Sequence, residues 1–115
     1  MPIEHLDSGE ILSQAVVHGG TVYLCGLTTT DRGLDITGQT EEVLAKIDDR
    51  LAKCGTDKSQ LLSATIYLTD LANKPAMNEV WKAWLGGLNR PARACVGSIQ
   101  LEPGVLVEIM VTAAK

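Results

Sequence analysis

Residues 104–114 read GVLVEIMVTAA, and residues 90–97, a few positions upstream, read RPARACVG. Side chains alternate between two faces along a strand, so Val105, Val107, Ile109 and Val111 fall on one side of the first stretch. Leu106, Met110 and Ala114 fall on the other, interrupted by Glu108 and Thr112. A strand that is apolar on both sides is usually covered on both sides. In the second stretch Arg93 and Cys95 share one face, opposite Ala92, Ala94 and Val96. Strands over 92–99 and 105–113 therefore carry a guanidinium and a carboxylate where aliphatic side chains are expected.

The chain before them alternates strand and helix. Segments 11–17 and 21–26 form a hairpin around His18, Gly19 and Gly20, followed by a polar loop over 28–38. Leu44, Ile47, Leu51 and Cys54 recur at three- and four-residue spacing and mark the first helix. Thr37 or Thr40 caps it, Glu41 and Glu42 sit in its first turn, and Gly55 follows its end. A strand over 63–70 puts Ala64, Ile66 and Leu68 on one face. Asn73 caps a second helix with Pro75 in its first turn, and Met77, Val80, Trp81, Trp84, Leu85 and Leu88 form its inner face. Gly86 and Gly87 close it, and a turn at Pro103–Gly104 joins the last two strands.

The order β-β-α-β-α-β-β over residues 1–115 predicts one α+β domain, a mixed sheet with both helices on one face. That leaves the second face of the sheet to be covered, and neighbouring subunits are the expected cover. A monomer with a wet, mildly apolar sheet face is the alternative.

The aromatic residues are Tyr23, Tyr67, Trp81 and Trp84 with no Phe, so the core is aliphatic. The net charge of −4, with Lys and Arg scattered, argues against nucleic acid or an anionic membrane as the main partner. Cys25, Cys54 and Cys95 are odd in number and lack zinc-site spacing, so no metal is expected. The opening MPIEHLDSGE is too polar for a signal peptide, and no apolar run reaches membrane-spanning length. A soluble protein in the reducing cytoplasm is expected.

If strands 92–99 and 105–113 form a hairpin, one register sets Cys95 beside Glu108 and Arg93 beside Met110. A slip by one residue turns Glu108 to the other face. Electrostatics favours the first register, because it lets both charged groups share one site. Breaking a buried pair by removing one partner costs roughly 3–5 kcal/mol. In a purely structural reading the two form an ion pair that fixes a subunit interface. In a functional reading Arg93 forks onto a ligand carboxylate through two parallel hydrogen bonds, and Glu108 manages protons or places a water. His5 and His18 stand isolated, and no His is placed to activate Cys95. Gly26, next to Cys25 at a strand end, lets main-chain N–H groups approach a ligand. Trp81 and Trp84 read as core.

The segments PARACVG and LVEI together resemble the C-terminal signature of the reactive intermediate deaminase family, RidA or YjgF-like, also known as endoribonuclease L-PSP-like. GQTEEVLAKIDDRLAKCG resembles its first helix, and ATIYLTDL and MNEVWKAW resemble the strand and helix that follow. The resemblance implies a chorismate-mutase-like subunit, a homotrimer with clefts between subunits, and no cofactor. It also implies hydrolysis of 2-aminoacrylate, 2-iminopropanoate and 2-iminobutanoate to 2-keto acids and ammonia. Carried over by position, Arg93 holds the substrate carboxylate and Glu108 activates the water. Cys95, Cys25 and Gly26 line the pocket. Leu12 stands about where many members have tyrosine, and Cys25 where many have serine. That departure motivates an alternative: a trimer that binds small keto acids without turnover.

Overall fold

The apolar periods resolve into six strands and two helices in the computed structural model, which describes residues 1–115. Strand β1 spans Glu4–Ser8, β2 Ser13–His18, β3 Thr21–Leu24, β4 Leu61–Leu68, β5 Ala92–Val96 and β6 Val107–Ala114. Helix α1 spans Ile36–Lys53 and α2 Lys74–Leu85. The strands make one sheet in the order β1-β2-β3-β6-β4-β5, antiparallel throughout except for the parallel β4–β5 pair. The molecule is 20 Å across its thinnest dimension, the depth of one sheet and one helical layer.

Gly19 and Gly20, at φ of 58° and 87°, supply the left-handed pair that a two-residue hairpin turn between β2 and β3 requires. The first helix starts a turn earlier than Thr40 suggests. Asp35 is its cap, accepting from Gly38 N at 2.9 Å, because a short carboxylate one residue before the helix reaches a free N–H best. Thr40 is instead buried, its hydroxyl donating to Ile36 O, and no acidic residue lies in the first turn. At the other end Gly55 takes φ 78° and Thr56 N bonds back to Leu51 O, closing α1 as expected. Pro75 does lie in the first turn of α2, but Asn73 makes no side-chain cap. Asp70 caps the short 3₁₀ turn Leu71–Asn73 ahead of it.

Two expectations need correction. Strand β1 was not anticipated, because EHLDS carries only Leu6 inward and owes its place to main-chain pairing with β2. The last two strands are also not a hairpin. The Pro103–Gly104 turn is present, with Val105 N on Glu102 O, but β6 inserts between β3 and β4 while β5 docks on the far edge of β4. The most apolar strand thereby gains hydrogen-bonded neighbours on both sides. The five-residue β5 occupies the edge and follows β4 and α2 as a parallel crossover.

Val107, Ile109, Val111 and Ala113 of β6 and Ala64, Ile66 and Leu68 of β4 are buried against Val43, Leu44, Ile47 and Leu51 of α1 and Met77, Trp81 and Leu85 of α2. Glu108, Met110 and Thr112 face the other way, with Tyr67, Thr65 and Ser63 of β4. No helix covers that face: Tyr23 is 48% exposed, and Met110 and Val96 each 41%.

Buried Gln39 ties the helical layer to the entry of β6. Its Nε2 donates to Leu34 O and Gly104 O, and its Oε1 accepts from Leu106 N, all within 3.0 Å. Leaving a buried main-chain group unpaired costs about 1–3 kcal/mol. Replacing Gln39 by Leu removes its hydrogen bonds to three partly buried or exposed main-chain groups, so urea denaturation is expected to show a loss of about 1–3 kcal/mol at unchanged slope. A loss under about 0.5 kcal/mol would show that the bridge is dispensable.

Candidate active site

The sequence-predicted residues fall into two groups on opposite faces of the sheet. Arg93 pairs with Ala64, which pairs with Val111, so this row points toward the helices. Cys95 pairs with Ile66 in the same sense. Glu108 pairs with Tyr67, which pairs with Val96, so that row points to the open face. Within one protomer Arg93 and Glu108 therefore share no site, and the expected register fails because β4 separates their strands. Alternation along each strand was read correctly; the pairing between them was not.

Arg93 is half-buried at the sheet edge, under α2. Its Nη1 donates to Asn78 Oδ1 at 2.8 Å, and its guanidinium carbon lies 5.4 Å from the Trp81 ring centroid. No carboxylate lies within 4.0 Å of it, since the four ion pairs of the chain all involve other residues. An amide dipole and an aromatic face thus orient the cation without neutralising it. Asn78 and Trp81 were missed as site residues. The available signal was a polar Asn78 set three residues before Trp81, on the same face of an otherwise apolar helix stripe. Trp81 is core as expected, only 5% exposed, and is also this contact surface. Trp84 packs 5.6 Å from it and bonds Asp48 through Nε1.

On the open face Glu108 lies over Gly26. The main chain brings them together, because Leu27 and Ile109 exchange both hydrogen bonds just beyond β3. A Cβ at Gly26 would stand 2.5 Å from Glu108 Oε2, so the missing side chain is what admits the carboxylate. Cys25 is adjacent, its Sγ 3.5 Å from Gln14 Oε1. Burial pushes the Cys25 thiol up, Arg50 opposes this, and the charge of Glu108 adds to the rise. A thiol held protonated is a poor nucleophile and a reasonable pocket wall. Beyond it, Glu42 pins the loop after Gly26: Oε1 accepts from Thr29 Oγ1 at 2.7 Å and from Asp31 N, and Oε2 from Thr30 N. His5 and His18 are exposed on the remote β1–β2 end. No three His, Cys, Asp or Glu side chains converge as metal ligands, and no helix is long and apolar enough to cross a membrane.

The backbone at Gly26 is not left-handed, so Gly26→Ala should keep stability within about 1 kcal/mol while swinging Glu108 aside, visible in a crystal structure of the variant. An unmoved carboxylate would contradict the close approach. The bonds from Thr30 N and Thr29 hold Glu42 down at a pKa of about 2. A folded value below the unfolded one stabilises fully above the ordinary carboxylate range, and that stabilisation disappears as pH falls toward 2. Since solvent reaches the group, Glu42→Gln should cost about 1–2 kcal/mol at pH 7, and wild type and variant should converge only as pH falls through about 2. Equal denaturation midpoints at pH 7 would refute the role of the pin.

The description "Endoribonuclease L-PSP" belongs to the family model that matches residues 3–115. A RutC family protein from Haemophilus ducreyi is 38% identical over 112 residues, covering 97% of this chain and 96% of that protein. The crystal structure of a YjgF-family protein from Neisseria meningitidis superposes with a TM-score of 0.95 at 41% identity, covering 100% of this chain and 96% of that one. A member of the conserved Rid protein family from Yersinia pestis gives 0.87 at 31% identity, covering 94% and 90%. With a match from residue 3 to the last residue and relatives aligned nearly end to end, this chain belongs to the endoribonuclease L-PSP family, which includes the YjgF, Rid and RutC proteins.

Proposed function

We propose that the protein hydrolyses reactive 2-imino and enamine acids to 2-keto acids and ammonia, in clefts between the subunits of a homotrimer. The observation that carries this reading is the unpaired, pre-oriented guanidinium of Arg93. A half-buried cation with no acidic partner suits a small carboxylate, which it can grip by two parallel hydrogen bonds. The uncovered sheet face around Tyr23, Met110 and Val96 suits packing against copies of the same chain. Because Arg93 and Glu108 point to opposite faces, a complete site needs Arg93 from one protomer and Glu108 from the next. The three free cysteines suit a reducing, cytoplasmic setting.

In this mechanism the substrate carboxylate sits on Arg93, with Cys95 beside it. From the facing protomer come Glu108, the Gly26 main chain and Cys25. An enamine first takes a proton from water at its terminal carbon and gives one up to water from its nitrogen, becoming the imine. Glu108 accepts a proton from water as the oxygen bonds to the imine carbon. Glu108 returns that proton to the nitrogen. The hydroxyl of the tetrahedral adduct then passes its own proton through Glu108 to the same nitrogen, and as the C–N bond breaks ammonia leaves and the C=O bond forms. An imine carbon is already electrophilic, so orientation and a placed proton acceptor suffice without a strong nucleophile.

Fresh imine from an amino-acid oxidase, with keto-acid release followed optically, tests the reading. Arg93→Ala should abolish the acceleration, and Glu108→Gln should lower kcat by about 10²–10⁴-fold, with light scattering still reporting a trimer. Arg93→Lys keeps the charge but loses the fork, so KM should rise at least about tenfold. No acceleration by the wild-type protein across several side chains would overturn the reaction. Tight keto-acid binding without turnover would establish instead a binding protein, which the lack of a hydroxyl at Leu12 and Cys25 favours. A monomer at working concentration would remove the shared cleft.

A further inference from the structure

Beyond Arg93 the same edge of the molecule opens into a groove of about 350 Å³, lined by Asn78, Trp81, Lys82, Arg90, Pro91 and Arg93. Three of these six side chains are cationic and none is acidic, although the chain as a whole carries −4. Arg93 has no carboxylate partner. Nor has Arg90, whose Nη1 donates only to the main-chain oxygens Gly86 O and Leu88 O, at 2.8 and 2.7 Å. Those bonds fix Arg90 at the C-terminal end of α2 with its charge unspent. Lys82 meets Glu79 at 2.8 Å, but both are well exposed, and such a pair exchanges readily with water, salt or a competing anion.

A monocarboxylate on Arg93 would leave Arg90 without an acidic partner and Lys82 held only by an exposed, exchangeable pair. We infer that the substrate carries a second carboxylate on its side chain, a 2-imino dicarboxylate, with one carboxylate on Arg93 and the other toward Lys82 and Arg90. This rests on the deaminase reading and sharpens it. Reactions that oxidise the α-amine of an acidic amino acid supply such imines. Like the simpler imines they would leave the site as keto acids, here keto dicarboxylates, with water consumed and ammonia released.

Calorimetry on the intact protein separates the possibilities, using 2-oxopentanedioate and 2-oxopentanoate, which share chain length and differ by one carboxylate. The dianion should bind at least tenfold more tightly. Lys82→Gln and Arg90→Gln should each shrink that ratio threefold or more, and the double variant should bring it near one. Lys82 is exposed and outside the core, so its variant should fold even if loss of Arg90 disturbs the helix end. A wild-type ratio near one, or a ratio unmoved in Lys82→Gln and in the double variant, would overturn the inference. The binding ratio stands apart from turnover. Imines hydrolysed with equal kcat/KM whatever their side-chain charge would sink the inference and spare the reaction. A preserved dianion preference in a protein that turns over no imine would support the inference and sink the reaction.

Discussion

Strand β6 is hydrogen-bonded along both edges, to β3 on one side and β4 on the other. Its inward row of Val107, Ile109, Val111 and Ala113 is nearly free of solvent and forms the floor under α1. With the most apolar strand in the centre, β5 docks on the free edge of β4, parallel to it. The place of every candidate functional residue follows from that choice. Glu108 is fixed on the outward row of the central strand, and Arg93 on the inward row of the edge strand, where α2 ends the layer.

The entry of β6 is held with similar care. Gln39 binds Leu34 O just ahead of its own helix and both Gly104 O and Leu106 N at the turn, and Leu106 is two residues from Glu108. On the other flank, the loop after Gly26 is gathered onto Glu42. The carboxylate of Glu108 thus lies between two segments that α1 itself positions. A surface turn and a surface loop, each free to move if left to solvent, are referred to one rigid helix. This is how a small aliphatic core can hold a side-chain position closely.

Much of this was legible in the residues. The 3.6-residue period and Gly55 located α1, Pro75 marked the start of α2, and alternation grouped Arg93 with Cys95 and Glu108 with Met110 correctly, while the expectation that both groups share one face failed. What failed was non-local. Whether two adjacent strands pair with each other or with a third depends on competition for the central position, and a turn at Pro103–Gly104 suits either outcome. The strand β1 escaped notice because its polar sequence carries almost no burial signal. Asn78 showed only as a polar break in the apolar stripe of α2, and its partner Arg93 is set by where that helix crosses the edge of β5. The capping of α1 by Asp35 in place of Thr40 is a smaller miss of the same kind: both residue types cap, and local composition does not rank them.

The separation of Arg93 from Glu108 has its own physical logic. Had the two shared a face in one chain, a short edge-to-centre distance would have made them an ion pair, and an incoming carboxylate would have had to displace Glu108 from the guanidinium. Breaking such a pair in a partly desolvated setting costs several kcal/mol. Placing them on opposite faces leaves the arginine held only by the Asn78 amide and the Trp81 ring, contacts that set direction but carry no opposing charge. The carboxylate, in turn, needs a residue without a side chain opposite it, and Gly26 meets that need. Two charged groups of opposite sign can then serve one anionic substrate only when separate copies of the fold bring them together. In such an arrangement assembly and site formation become a single event.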